Sequence, residues 1–470
     1  MQKLAELFDT DPARERDFSL RQSDWVLDYS RIPLDRESLA ELHSLTVDSG
    51  LPNAIARLYA GKSVNPSEDQ PALHMALRAG DEQAFSGPVD GRLLARQRED
   101  FLELAGRLHD GRSGLTDLLH IGIGGSDLGP RLVADALNAD DSAVRVHWLA
   151  TLDGRRFERL CRELDPATTG MVIASKSFST EETITQATAA RQWMGTDWSK
   201  RTWAATASED KAVDFGILKS HVLAFPAFVG GRFSLWSSVG VSAAARIGPD
   251  RFRRLLAGAE RADLDFRERG SRDNLAVIVA LLMHYLRRGL GLNTLGVVSY
   301  EPRLALLADH LQQLVMESLG KGVGLDDSPV AHSTSPLIFG GRGTDLQHSI
   351  FQALHQGSDT HPLILVGSLR DRHAYPDWHQ AQLAHLLAQA RAFANGRSDG
   401  KACQNMPGNR PVATLIVDEL NSANLGWLLA SLEHAVYTLS VLWGINAFDQ
   451  WGVEEGKRLA AEIRARLAGN

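Results

Sequence analysis

The 470-residue chain is 44% hydrophobic and 23% charged, ordinary values for a globular protein large enough for two domains with sizeable cores. Its net charge of −8 argues against general nucleic-acid binding and against an anionic membrane surface, so any anionic substrate must find a local positive site. The two cysteines, Cys161 and Cys403, form no metal or redox spacing, and the first nine residues lack a basic end followed by an apolar core. The longest apolar run, 275–286, has only 12 residues and contains His284, too short to span a bilayer. These features lead to the expectation of a cytoplasmic enzyme.

Residues 1–110 read as a polar, helix-rich N-terminal extension. From there strands and helices alternate. Buried strands are expected at 118–123, 143–149, 171–174 and 221–226, followed by a charged amphipathic helix at 250–272. A second alternating set has strands at 293–300, 362–366 and 414–417, a helix at 304–319 and a long helix at 423–443. The stretch 394–411 is the clearest loop, and 453–467 reads as a terminal amphipathic helix. The alternation predicts an α/β protein of two doubly wound parallel-sheet domains flanked by helices, at 111–250 and 251–440. Helical extensions occupy 1–110 and 441–470.

One device occurs twice in the first half: an apolar strand runs into a loop of small residues that opens a helix. The first loop is Ile121-Gly122-Ile123-Gly124-Gly125-Ser126-Asp127, and the second is Ser175-Lys176-Ser177-Phe178-Ser179-Thr180-Glu181-Glu182. Small residues let backbone N–H groups approach a ligand, and a helix N-terminus favours an anion. Neither loop fits a nucleotide motif: Asp127 stands where a dinucleotide fingerprint needs Gly, and Ala56 breaks the P-loop pattern that ends in Gly61-Lys62-Ser63. A phosphate ester held at the ends of parallel strands fits better. Ordinary tight turns remain an alternative, and Ser179-Thr180-Glu181-Glu182 also reads as a capping box.

Further along, Gly230-Gly231-Arg232-Phe233-Ser234 embeds one Arg among glycines, aromatics and hydroxyls, where its fork can meet an oxyanion or be salt-bridged on a turn. Gln313 and Glu317 lie four apart on one helix face, with Gly320 as a helix stop. A carboxylate in the last turn among apolar neighbours is expected to have a raised pKa suited to a general base, unless it is simply a surface Glu. His348 follows Gly343-Thr344-Asp345-Leu346-Gln347 ahead of an apolar helix, and is either structural or catalytic. Phe448-Asp449-Gln450-Trp451-Gly452-Val453-Glu454-Glu455-Gly456-Lys457 opens the last helix, its aromatic and Gly surroundings suggesting a partly enclosed Lys457.

Together, and in this order, the segments from about 115 to 457 resemble those of the phosphoglucose isomerase family. The resemblance implies two sugar-isomerase (SIS) domains and reversible aldose–ketose conversion of glucose 6-phosphate and fructose 6-phosphate, in glycolysis and gluconeogenesis, without metal or organic cofactor. It implies Glu317 as the base moving a proton between C1 and C2, and Arg232 as the partner of the cis-enediol(ate). His348 would open the ring with help from Lys457. Ser175, Lys176, Ser177 and Thr180 would cradle the phosphate, and Gly125, Ser126, Gln313 and Gln450 would contact the sugar. It further implies a homodimer in which His348 completes the partner's site. The first hundred residues carry little that matches, and they are expected to wrap the second domain or the dimer interface.

Two departures stand out: Leu319 replaces the family's Asn in Glu-Ser-Asn-Gly-Lys, and Asp345-Leu346 replace Asn-Gly before the His. They bear on loop shape and on the orientation of His348. Other readings are a mannose 6-phosphate isomerase, a non-catalytic SIS sensor, a nucleotide-dependent dehydrogenase and a metal isomerase. The presence of both Glu317 and Arg232 disfavours the sensor, the broken fingerprint disfavours the dehydrogenase, and the lack of a His–carboxylate cluster disfavours the metal enzyme.

Overall fold

A computed structural model describes residues 2–80, 89–138 and 140–468. Among these described residues eleven strands form two sheets: β1 (Ser19–Gln22), β2 (Trp25–Asp28), β3 (Asp117–Ile121), β4 (Arg145–Leu149), β5 (Thr169–Ala174), β6 (Thr202–Thr206), β7 (Val222–Ala224), β8 (Thr294–Ser299), β9 (Leu337–Arg342), β10 (Leu363–Arg370) and β11 (Val412–Glu419). The first sheet, in the order β4-β3-β5-β6-β7, is parallel throughout. The second has a parallel body, β9-β8-β10-β11, with the β1–β2 hairpin added antiparallel on β11. Two doubly wound halves are therefore present, as the alternation predicts.

Side-chain alternation along the strands explains how the halves meet. In β3 and β5, Leu118, Val172 and Ala174 face one large core, while Leu119, Ile121, Met171 and Ile173 face a second. In the second sheet, Leu295, Val297, Val366 and Leu415 turn to that same large core, and Val298, Leu363 and Leu365 to a third. The inner faces of both sheets thus share one central core, and each outer face has its own. Strands β3, β5 and β6 are buried along their whole length, as expected of a parallel sheet covered on both faces.

The central layer contains helices Pro249–Glu268 and Ser422–Trp443. They cross closely because each offers a glycine: a Cβ on Gly258 would lie 1.9 Å from the Ala423 carbonyl oxygen, and one on Gly426 1.9 Å from that of Leu255. Ser422–Trp443, the long helix expected at 423–443, is by length and composition apolar enough to cross a membrane, which the 12-residue run at 275–286 is not. It is, however, 94% buried inside the fold.

The N-terminal stretch is more than a helical extension. Its hairpin β1–β2 belongs to the second sheet, and helix Gly91–His109 packs on helix Val241–Ile247 of the first half. Strands β6 and β9 are further elements that the sequence reading does not find.

Candidate active site

In the first sheet the chain leaves β3 for β4 on one side and returns to β5 on the other, so the strand order reverses between β3 and β5. A crevice opens at the C-terminal ends of strands at such a switch point. Both small-residue loops lie there, after β3 and after β5, so close that a Cβ added to Gly122 would lie 3.1 Å from Ala174 O. The second sheet has its own reversal, between β8 and β10. Its crevice is filled: buried Glu301 accepts from Arg303 at 2.9 and 3.0 Å and from Ser368 Oγ at 2.7 Å.

The loop after β5 brings its hydroxyls to the opening of a helix. Phe178 adopts φ 47°, a left-handed conformation costly for a bulky residue, and its ring is buried against Phe215. That anchor turns the hydroxyls back over the opening of helix Glu181–Met194. Thr180 is the N-cap, yet its side chain accepts from no helix N–H, so the expected capping box with Ser179 does not form. Instead Ser175 Oγ lies 3.4 Å from Thr180 Oγ1, and Ser179 Oγ donates to Ser177 Oγ at 2.9 Å. The first turn of the helix therefore keeps its N–H groups for a ligand. Lys176 is half-buried, and burial pushes its amine below the usual lysine range, with nearby Glu68 opposing the shift. Replacing Ser175 with Ala is expected to raise KM for a phosphorylated substrate several-fold with a smaller change in kcat, measured by steady-state kinetics; an unchanged KM would remove Ser175 from any phosphate site.

The loop after β3 abuts the Gly230-Gly231-Arg232 turn so closely that a Cβ on Gly125 would lie 2.0 Å from Gly231 O. Only glycine permits this approach. Ser126 O accepts from His120 Nε2 at 2.7 Å, which fixes the loop to the sheet. A Cβ on Gly124 would meet Gln313 Nε2 at 2.8 Å, so the loop also borders helix Leu307–Leu319.

Arg232 is the hub. Its guanidinium is buried, with Nε donating to Ser318 Oγ at 2.7 Å and Nη1 to Glu317 Oε2 at 3.2 Å and Gln450 Oε1 at 3.0 Å. Nη2 donates to the carbonyls of Ala447, at 2.5 Å, and Asp449, at 3.1 Å. Burial pushes its pKa down, and the Glu317 carboxylate opposes that shift. Gln313 Nε2 donates to both Glu317 oxygens at 3.3 Å, as the four-residue spacing implies. The Glu317 side chain keeps 30% exposure, whereas Arg232 keeps 1%, so the carboxylate is open to solvent and the cation is buried behind it.

A small cleft of about 40 Å³ adjoins Gln450, lined also by Lys176 and Gly231 and by Asn65, Glu68 and His74 from the N-terminal stretch. Sequence reasoning finds no signal for those last three. It also leaves Lys321 and Asp449 without a role, although both lie inside segments it quotes.

Gly125, Ser126, Arg232, Gln313, Glu317 and Gln450 thus converge, near the loop of Ser175, Lys176, Ser177 and Thr180. Two expected members do not join them in this chain. Lys457 is not enclosed: it lies on helix Glu454–Ala468, 63% exposed, with Nζ on Glu454 Oε1 at 2.7 Å. The apolar residues of that helix, Leu459, Ile463 and Leu467, are exposed too, so no core draws Lys457 inward. His348 sits on an exposed turn between helices Gly343–Gln347 and Phe351–Gln356. Of the departures noted above, Leu319 is fully buried and Leu346 packs into the outer core of the second sheet.

Residues 28–470 match the family model described as phosphoglucose isomerase. The chain is 43% identical over 470 residues to a glucose-6-phosphate isomerase of Stenotrophomonas maltophilia, covering 98% of this chain and 92% of that one. It is 38% identical to glucose-6-phosphate isomerase 1 of Chromohalobacter salexigens, covering 100% and 88%. Among solved structures it is similar to a glucose-6-phosphate isomerase from Chlamydia trachomatis, with a TM-score of 0.90 and 31% identity over 99% of this chain and 93% of that one.

Proposed function

The chain belongs to the phosphoglucose isomerase family, and from that premise we propose that it interconverts glucose 6-phosphate and fructose 6-phosphate by proton transfer through a cis-enediol(ate). The observation that carries this reading is the buried Arg232 bonded to the part-exposed Glu317, with the loop of Lys176 across the neighbouring cleft from Gly231 and Gln450. A proton α to a carbonyl is weakly acidic. Its removal needs a positioned base and a fixed positive partner for the charge that develops. Glu317 takes the proton from C2 of the open-chain aldose and returns it at C1. Arg232 stabilises the enediolate, the loop 175–180 holds the phosphate, and Gln313 and Gln450 orient base and cation.

Ring opening needs an acid–base group at the ring oxygen and O1, and His348 is suited to it near neutral pH. Because His348 is exposed and apart from Glu317, the reading requires a homodimer in which each subunit lends His348 to the other. Lys457 reaches the sugar only when its helix packs over the cleft. Two inactive variants, Glu317→Gln and His348→Ala, should then complement. A mixed dimer has one site with both changes and one intact site. Random reassociation is expected to restore about a quarter of wild-type activity, whereas no restoration would place His348 in its own subunit's site or outside the chemistry.

The function itself is tested by conversion of fructose 6-phosphate to glucose 6-phosphate in EDTA, coupled to glucose-6-phosphate dehydrogenase. Turnover is expected. A folded protein that binds the sugar phosphate without turnover would leave only a binding role.

A further inference from the structure

The segment that seats Arg232 has no secondary structure to hold it. Residues 447–450 lie between helix Ser422–Trp443 and the turn Trp451–Val453, outside any sheet. Yet this segment supplies three of the five acceptors of the guanidinium: Ala447 O, Asp449 O and Gln450 Oε1. Its position therefore sets the position of the cation.

One side chain ties it down. Asp449 is 8% exposed, and both carboxylate oxygens are engaged. Oδ2 accepts from Ser67 Oγ at 2.6 Å and from Asn446 Nδ2 at 2.8 Å. Oδ1 accepts from Lys321 Nζ at 2.7 Å, and the same ammonium donates to Asp449 O at 2.6 Å. Asp449 O is also the acceptor of Arg232 Nη2, so one carbonyl is shared by both cations. Burial works to raise the Asp449 carboxyl, and Lys321 with Ser67 outweighs it, so the group is held below its usual range as the partner of an ammonium.

The other end of the clamp is the base. Lys321 follows helix Leu307–Leu319 by two residues, and Glu317 is in the last turn of that helix. Lys321 N accepts no slack there: it donates to Leu319 O at 2.9 Å, which folds the chain back on the helix end. The Lys321–Asp449 pair thus joins the element that carries the base to the element that seats the cation.

Resting on the isomerase reading above, we propose that Lys321 and Asp449 are positioning residues that set the spacing between Glu317 and Arg232 at the enediolate. Neither touches the reacting carbons. The pair acts through Arg232, and Ser67 and Asn446 hold its carboxylate in place. A shift of the guanidinium away from the developing oxyanion lowers the rate of proton transfer. It leaves phosphate binding intact, because the cradle is on a different loop.

The test uses the purified enzyme and Lys321→Met, Lys321→Arg and Asp449→Asn variants, with fructose 6-phosphate kinetics. Two inhibitors are added: inorganic phosphate, and a phosphorylated aldonohydroxamate that mimics the enediolate. Lys321→Met is expected to lower kcat by about ten- to a hundredfold with KM within about twofold. Hydroxamate affinity should fall by a factor similar to kcat, phosphate affinity should stay unchanged, and Lys321→Arg should recover much of the loss. Unchanged kcat in Lys321→Met would overturn the proposal. So would equal weakening of phosphate and hydroxamate, the signature of general loosening of the fold. Should Lys321→Met not fold, Asp449→Asn and Lys321→Arg carry the same comparison. A wild-type enzyme without turnover would defeat the isomerase reading, whereas turnover in wild type with full kcat in the variants defeats the clamp alone.

Discussion

Glu317→Gln is expected to lower kcat for fructose 6-phosphate by about 10²–10⁴-fold while KM moves only a few-fold. The substitution keeps the shape of the side chain and an oxygen that can accept from Arg232 Nη1, so the hub around the guanidinium can persist. Helix Leu307–Leu319 is undisturbed, since its buried residues Leu311, Leu314, Val315 and Ser318 lie on another face. What is lost is the only function a neutral amide cannot perform, acceptance of a proton from carbon. Steady-state kinetics with thermal melting as a folding control checks the result. Near-normal turnover in the folded variant would place the base elsewhere.

Arg78→Met is expected to cost about 3–5 kcal/mol of stability, because it strands buried charge. Arg78 has no exposed side chain; it donates to Asp263 at 2.8 and 2.6 Å and to Glu433 at 2.6 Å. Asp263 also accepts from His434 at 2.7 Å, and Glu433 from Trp236 Nε1 at 2.7 Å. The cluster fixes the N-terminal stretch to helices Pro249–Glu268 and Ser422–Trp443, directly behind the turn that carries Arg232. Burial pushes the Glu433 carboxyl up to about 7 despite Arg78. Asp263 is raised by burial too, but Arg78 and His434 outweigh it and hold it low.

The pH dependence follows by linkage. In the wild type, a Glu433 pKa raised from its unfolded value of 4.5 contributes stability that is fully present below pH 4.5 and is lost as pH rises through about 7. Removing Arg78 raises both carboxyls further in the folded state, so the folded variant binds more protons than the folded wild type. The deficit of Arg78→Met should therefore grow with pH. Urea midpoints measured at pH 5 and at pH 8, with tryptophan fluorescence as the signal, check this; a deficit larger at pH 5 would contradict it.

The strands legible in the sequence are β3, β4, β5, β7, β8, β10 and β11, each with several apolar residues in a short segment. β1, β2, β6 and β9 have particular physical reasons for being hidden. β6 reads Thr-Trp-Ala-Ala-Thr, and its two threonines are buried because their hydroxyls donate to the Trp198 and Lys176 carbonyls. β9 contains Gly340-Gly341 ahead of its last residue, Arg342, and a Cβ on Gly340 would lie 1.8 Å from Val297 O, so close strand contact replaces the usual apolar pattern. β1 and β2 are four residues each; they pair with one another as a hairpin, and only β2 joins the sheet, on β11, nearly four hundred residues away in the chain.

The site divides the same way. The two loops and the Gln313–Glu317 pair are local patterns, and the sequence displays them. The meeting of Arg232 with residues 447–450 spans more than two hundred positions, and that of Asp449 with Ser67 spans 382. No local pattern encodes such contacts. Lys457 shows the opposite failure: amphipathic spacing correctly gives a helix, but it does not say where that helix docks.

The most direct test of proton transfer by Glu317 is the fate of deuterium from [2-²H]glucose 6-phosphate turned over in ordinary water. A single carboxylate base predicts fructose 6-phosphate with part of the label at C1 and part lost to solvent, and neither product in Glu317→Gln. Complete retention of the label at C1 would indicate hydride migration, and turnover with unchanged label transfer in Glu317→Gln would contradict the assignment of the base.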